Sequence, residues 1–451
     1  MTKFFLASVS LAVLMASAAV AEEKVFPAKL TAHAVLPANT IVAAPTDAAD
    51  FLKTAAKFTT PDRKRAEGLG TVPGLDGVLP TGLSMPFNGQ AIQGFSGIKT
   101  MADGTFWTLS DNGFGSKMNS SDAMLFLHHL SFDWKSGKVN VLENVFLSDP
   151  DKKAPFPIVM EGAAKRYLTG ADFDIESVQP VADGFWIGDE FGPYLLKFSS
   201  DGKLTDVIPT KVGELEVKSP DNPTVAVPKD PTQKLPAFNV KRSGGYEGLA
   251  MSKDGSKLYA LLEGPLFKDG SVEKVDNHPA LRIFEFDTAS KDFTGRYWLY
   301  PFADGGESIG DFNMLDASTG LVIERDNGAG TPDKACADPK NPKPDCFAVA
   351  AKLKRIYKIE FSDANVGKAV RKIGYIDLLN IADPDHKRLQ GGHDAVYNMP
   401  FVTIENVDRV DATHIIVGND NNLPFSSGRT LGKADDNEFV ILDVAEFLNT
   451  K

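Results

Sequence analysis

The sequence predicts an all-β protein of the β-propeller class, with six or seven blades of four antiparallel strands and a short helical N-terminal stretch. Short runs rich in Val, Ile, Phe, Tyr and Trp are punctuated by Asp-Gly turns, few stretches carry a helical period, and a pair of strands bearing acidic residues recurs along the chain. Composition agrees: 43 % hydrophobic and 24 % charged residues over 451 positions describe a globular chain that buries roughly three quarters of its unfolded surface. The 48 basic residues against 60 acidic ones leave a net charge of −12. That balance excludes a general nucleic-acid binder, which needs a basic footprint, and an anionic substrate would need local help from bound cations.

Taken in order, the chain opens with a secretory pattern: Lys3, an apolar run from Phe4 to Met15, and Ala19-Val20-Ala21 before Glu22. An uncleaved anchor is disfavoured because the run is too short for about 30 Å of hydrocarbon. No cysteine follows the signal to carry a lipid. The expected organisation is a signal peptide over 1–21, an N-terminal extension over 22–75 and a propeller over 76–451, in a periplasmic or secreted protein. Asp47 to Phe58 is the best amphipathic helix candidate and Ser120 to His129 a weaker one.

Hairpins follow at Ala102 to Asp111, Ala182 to Glu190, Ser200 to Leu204 and Lys253 to Gly264, each around an Asp-Gly turn. Above them lies a longer regularity. Ser96 in SGIK precedes Asp111, Glu176 in DIESV precedes Asp189 and Glu190, and Glu247 in GYEGLA precedes Glu263. Asp311 in GDFNML precedes Glu324, Arg325 and Asp326, and Glu405 in TIENV precedes Asn419 and Asp420. A two-stranded unit cannot bury both faces, and radial stacking about an axis solves this. At least five blades are visible, with others lacking the pattern or closed by strands from both termini. A β-sandwich or a pair of β-domains is the alternative. Six prolines between Pro209 and Pro236 mark a surface excursion. Cys336 and Cys346, the only cysteines, sit ten positions apart in a turn-rich segment. In an exported chain they are expected to form a disulfide contributing roughly 2 to 3 kcal/mol. Neither CxxC spacing nor nearby histidines favour a metal or redox pair.

In a propeller, corresponding positions of successive blades return to one height around the axis, so the recurrent acids would converge there. Two carboxylates 4 Å apart repel by roughly 4 kcal/mol at an effective dielectric of 20, so a cation is expected among them. Calcium takes six to eight oxygen ligands, and carboxylates with Asn112, Asn327 and Asn419 offer oxygen where histidines are few. Asp and Asn before Gly are also ordinary turn residues. Glu176, Glu247 and Glu405 stand in apolar settings instead, where a lone carboxylate is costly unless paired or bound. No G-x-S-x-G, P-loop or dinucleotide fingerprint stands in a suitable context, and Ser96 lacks a nucleophile elbow.

The ordered motifs D-x-E-S-V, D-E-F-G-P, G-Y-E-G-L, E-R-D-N-G and I-E-N-V followed by N-D-N-N resemble the bacterial "esterase-like activity of phytase", or phytase-like, family from about Gly94 to the C-terminus. The resemblance implies an exported propeller related to calcium-dependent phytases, with phosphoester hydrolysis as its activity. Consistent with both readings, the expected metal ligands are Asp111, Glu176, Asp189, Glu247, Glu324, Asp326, Glu405, Asn419 and Asp420. Glu190 or Glu263 is the expected general base, Arg325 the catalytic clamp on an anionic group, and His393 and Arg429 the substrate contacts. Arg166, Lys241 and Arg242 are further candidate phosphate contacts, with solvated surface charge as the favoured reading of each. The expected partner is a small phosphoester or other anionic substrate, met by a monomer with no membrane span after signal cleavage. A lactonase-like esterase and a non-catalytic binding propeller stiffened by calcium are the competing readings.

Overall fold

The computed structural model describes residues 23–451 apart from 69, 231 and 235, so the expected signal peptide lies outside the described residues. Four antiparallel strands per sheet build the first four blades. The first is Phe95–Thr100, Phe106–Ser110, Phe126–Asp133 and Lys138–Phe146; the second is Ile175–Val181, Gly184–Asp189, Tyr194–Ser199 and Leu204–Pro209. The third is Tyr246–Met251, Lys257–Leu262, His278–Asp287 and Asp292–Pro301; the fourth is Ser308–Met314, Thr319–Arg325, Lys354–Glu360 and Arg371–Asp377. The fifth takes Ile404–Arg409, His414–Asn419 and Asn437–Asp443 from the C-terminus and Lys29–Leu36 from the N-terminus. The five first strands pack on one another in sequence, and the fifth returns to the first.

The protein is therefore a five-bladed β-propeller among its described residues, not one of six or seven blades. The five visible repeats are its five blades, and the N-terminal strand completes the last of them instead of adding another. Lys29–Leu36, inside the stretch read as an extension, runs antiparallel to Asn437–Asp443 from Lys29↔Asp443 to Leu36↔Asn437. The expected helix over Asp47 to Phe58 is a single 3-10 turn, Asp50–Leu52, whose N-cap Ala49 has no side-chain acceptor to offer. Over Ser120 to His129 the chain enters the strand Phe126–Asp133 instead. Ala445–Asn449 is the one α-helix among the described residues, and no helix there is long and apolar enough to cross a membrane.

Five apolar seams, one per blade interface, hold the ring. Leu109, Val178 and Ile187 join the first and second blades, and Trp186, Leu249 and Phe284 the second and third. Leu261, Phe312 and Tyr357 join the third and fourth, and Ile323, Ile404 and Val417 the fourth and fifth. Ile98, Phe126 and Phe439 close the ring.

The two ends of the propeller differ. The first hairpin of every blade turns in a few residues, at 101–105, 182–183, 252–256, 315–318 and 410–413. The opposite end carries the long segments 37–94, 111–125, 147–174, 210–245, 263–277, 326–353, 378–403 and 420–436. Binding groups concentrate on such loops when a rigid scaffold positions them. Cys336 and Cys346 are bonded within one of these segments, their Cα atoms 4.9 Å apart.

Candidate functional site

Every first strand slips register near its start: between Ser96 and Ile98, Ile175 and Ser177, Tyr246 and Gly248, Ile309 and Phe312, and Ile404 and Asn406. A bulge leaves one residue unpaired and re-aims its side chain. In three blades that residue is Glu176, Glu247 or Glu405; in the first it is Gly97, next to Ser96, and in the fourth the slip takes in both Gly310 and Asp311. A second ring forms where the second strands end, from Asp111, Glu190, Glu263, Arg325 and Asp420. Its backbone is held alike in three blades: Asp111, Glu190 and Glu263 donate their N–H groups to Gly94, Asp174 and Gly245 at 2.9, 2.9 and 2.8 Å. Gly94 has φ +60, and a Cβ there would meet the Asp111 carboxylate at 2.3 Å, so a side chain at this position would push the acid aside.

The glutamates converge. One carboxylate oxygen from each of Glu176, Glu247 and Glu405 lies within 4.8 Å of the others, and Asp174, Glu176 and Glu190 form a second such group. None of these five is more than 9 % exposed. Burial, then neighbouring carboxylates, hold Glu176, Glu190 and Glu247 well above the usual carboxylate range. The same causes push Asp111 well up. Burial raises Asp174 to about 6, and burial with Asp420 raises Glu405 to about 8.

Positive charge reaches only part of this well. Arg325 Nη2 lies 3.1 Å from Glu405 Oε1, and Ser96 Oγ donates to Glu405 Oε2 at 2.9 Å. Lys241 Nζ lies 2.9 Å from Glu263, which also takes the Ser308 hydroxyl. Asp174 Oδ1, Glu190 Oε1 and Glu247 Oε1 are buried with no hydrogen-bond partner. Deeper in the channel, Asp311 Oδ2 accepts the N–H groups of Ile98 and Val407, each at 3.1 Å. Asn313 donates to the carbonyls of the same two residues, and Lys99 bridges Asn313 and Asp408. This network plugs the short-turn end, so the channel is a well whose mouth faces the long loops.

The donor set fits a divalent cation on two observations. Asp174 Oδ1, Glu190 Oε1 and Glu247 Oε1 accept no hydrogen bond although buried, and all donors are hard oxygens of the kind calcium or magnesium takes. Glu176 belongs to both groups, so the floor offers two overlapping cation positions.

Several expected site residues lie elsewhere. Asp189, raised to about 7 by burial, spends its two oxygens on the N–H groups of Asp174 and Gly192 at 2.9 and 2.8 Å, and so shapes the loop. Glu324 faces Tyr300, Ala303 and Lys372 at 2.6 to 2.7 Å. Asp326 pairs with buried Lys354 at 3.0 Å and accepts the Lys352 N–H. Asn419 accepts from Glu438 N and donates to two carbonyls. Adjacent strand residues point to opposite faces, so Glu190, Arg325 and Asp420 enter the channel and their neighbours do not. Arg429 is not a free substrate contact: it forks onto Glu438, with both contacts at 2.8 Å, and bonds Asn398 and Tyr397. His393 is exposed on a loop, its ring 3.6 Å from Asp394. Arg166 is a buried partner of Asp149, not a solvated charge. Sequence reading missed Asp174, although its place two residues before Glu176 in D-I-E puts both on one strand face.

The profile of the Phytase-like family, described as esterase-like activity of phytase, matches residues 90–423. A protein of Arthroderma benhamiae named "Uncharacterized secreted protein" is 28 % identical over 191 residues, an alignment covering 38 % of this chain and 36 % of that protein. The chain thus spans little more than a third of this curated relative's length. Among solved structures, a GH43 β-1,3-galactosidase is 12 % identical with a TM-score of 0.39, covering 79 % of this chain and 91 % of the other. The Dos1 propeller is 10 % identical with a TM-score of 0.28, covering 78 % and 67 %.

Proposed function

Because this chain belongs to the Phytase-like family, we propose that it is an exported hydrolase of small anionic esters, phosphoesters first, that works with a divalent cation, calcium by its donor set. One observation carries the reading: buried glutamates from the bulges of three different blades bring carboxylate oxygens within 4.8 Å of one another. Export is supported by the secretory pattern of residues 1–21 and by the name of the Arthroderma relative.

Asp174, Glu176, Glu190, Glu247 and Glu405 would hold the ion. When bound, the cation supplies the positive charge that lets these acids ionise together and that polarises a phosphoryl oxygen. Arg325 offsets part of the cost of ionising Glu405 and turns it into the well; burial alone would lower the Arg325 pKa, but Glu405, Glu263 and Glu247 raise it. Its role is thus to position Glu405, and the substrate clamp is left to another cation. Glu263 has its oxygens engaged by Lys241 and Ser308. Glu190, with Oε1 free, is the group to move a proton at the ester's leaving oxygen.

Purified protein assayed on aryl phosphates and phytate, with calcium and after chelation, tests the reading. Turnover that calcium restores is the expected result. Turnover of lactones without phosphoesters, or of no ester in either condition, would overturn it.

A further inference from the structure

We propose that Arg63 is the anion-recognition residue of this site, the side chain that receives the charged group of a phosphate monoester at the mouth of the well. The proposal rests on the function above and names the residue that sets its substrate class. Arg63 lies in the long segment before the first blade, and that segment is pinned down around it. Ala55 bridges Phe87, the Lys57 N–H reaches fully buried Asp122 at 2.8 Å, and Asn119 Nδ2 donates to Thr59 Oγ1 at 3.2 Å and to the Arg63 carbonyl at 2.8 Å. Arg63 itself adopts φ 54, the left-handed region that non-glycine residues rarely enter. Conformations of this kind persist where surrounding contacts over-determine them, and they cluster at ligand sites.

These contacts set the guanidinium across two loops of the acidic ring. Its centre stands 4.8 Å from the Phe425 ring, in the loop after Asp420. Its Cδ lies 3.3 Å from where a Cβ on Gly115 would be, in the loop after Asp111. Among the described residues the Arg63 side chain has no hydrogen-bond or ion-pair partner. The carboxylates that act on it, Asp420, Asp76 and Asp111, are occupied: Asp111 by the Gly113 N–H and Gln93, Asp420 by the Asn422 N–H and Thr403, and Asp76 by the Ser427 hydroxyl. Other cations near the mouth are also engaged. Arg325 holds Glu405, Lys241 holds Glu263, Arg242 holds Asp221, and Lys117 and Arg65 bond the carbonyls of Asp221 and Met118. A stacked, permanently charged guanidinium with free N–H edges is prepared for bidentate recognition of a phosphate.

The test compares native protein with Arg63→Ala, Arg63→Gln and Arg63→Lys, each loaded with calcium. Calorimetry with inorganic phosphate is expected to show affinity falling about tenfold or more in R63A and R63Q and partly recovering in R63K. The kcat/KM ratio of p-nitrophenyl phosphate over p-nitrophenyl acetate is expected to fall by a similar factor, mostly through KM. Unchanged phosphate affinity in R63A and R63Q with an unchanged melting temperature would overturn the proposal. Phosphate binding that depends on Arg63 in a protein with no turnover would uphold Arg63 and reject the hydrolase.

Discussion

At the scale of single residues, Glu176 carries the most. It is the one acid common to both oxygen groups on the floor, so Glu176→Gln removes a donor from each. Calcium at a hundredfold excess over its dissociation constant is expected to stabilise the native chain by about 2.7 kcal/mol. Scanning calorimetry should show that rise in melting temperature largely gone in E176Q; an undiminished rise would move the ion away from this floor. His128 tests a different kind of buried group. Its ring lies 2.9 Å from Ser110 Oγ and 2.7 Å from Asn144 Oδ1, and burial lowers its pKa to about 4. The unfolded ring titrates near 6.5, so the fold favours neutral imidazole. The stability tied to this preference is complete above pH 6.5 and is lost as pH falls toward 4, by about 3 kcal/mol in all. Replacing His128 with Gln should flatten the melting-temperature profile by one proton's slope in that window.

At the scale of elements, the N-terminal strand and the bulges decide the architecture. Leu30 lies fully buried in the seam of the fourth and fifth blades, and Leu30→Ala should cost about 3 kcal/mol by chemical denaturation. The disulfide closes a ten-residue separation within 326–353. Replacing both cysteines with Ser should cost roughly 2 to 3 kcal/mol and expose residues 337–345 to limited proteolysis. Hairpins were legible element by element because Asp-Gly turns and alternating apolar residues are local signals. The helix expected over Asp47 to Phe58 failed for a nonlocal reason: Ala55 pairs with Phe87 and Leu52 is buried below it, so contacts far along the chain override the helical spacing.

At the scale of the whole molecule, five seams must close together, and closure runs through one antiparallel pairing of the two chain ends. Removing residues 23–36 leaves the fifth blade with three strands and uncovers the seam to the first. The expected result is loss of the cooperative melting transition, read by calorimetry and near-UV circular dichroism; an unchanged transition would mean that the ring closes without its N-terminal strand.

The amino-acid order alone determined the all-β class, the five repeats, the cysteine pair and the buried setting of Glu176, Glu247 and Glu405, because each is written within a dozen neighbouring residues. Tertiary structure decided that the blades stop at five, that Asp174 joins the floor, and that Glu190, Arg325 and Asp420 face the axis while Asp189, Glu324, Asp326 and Asn419 turn away. Side-chain direction alternates along a strand and shifts by one at a bulge. Which of two adjacent acids reaches the well therefore depends on pairing register with strands distant in sequence, and on the closure of the ring that brings the blades to a common axis.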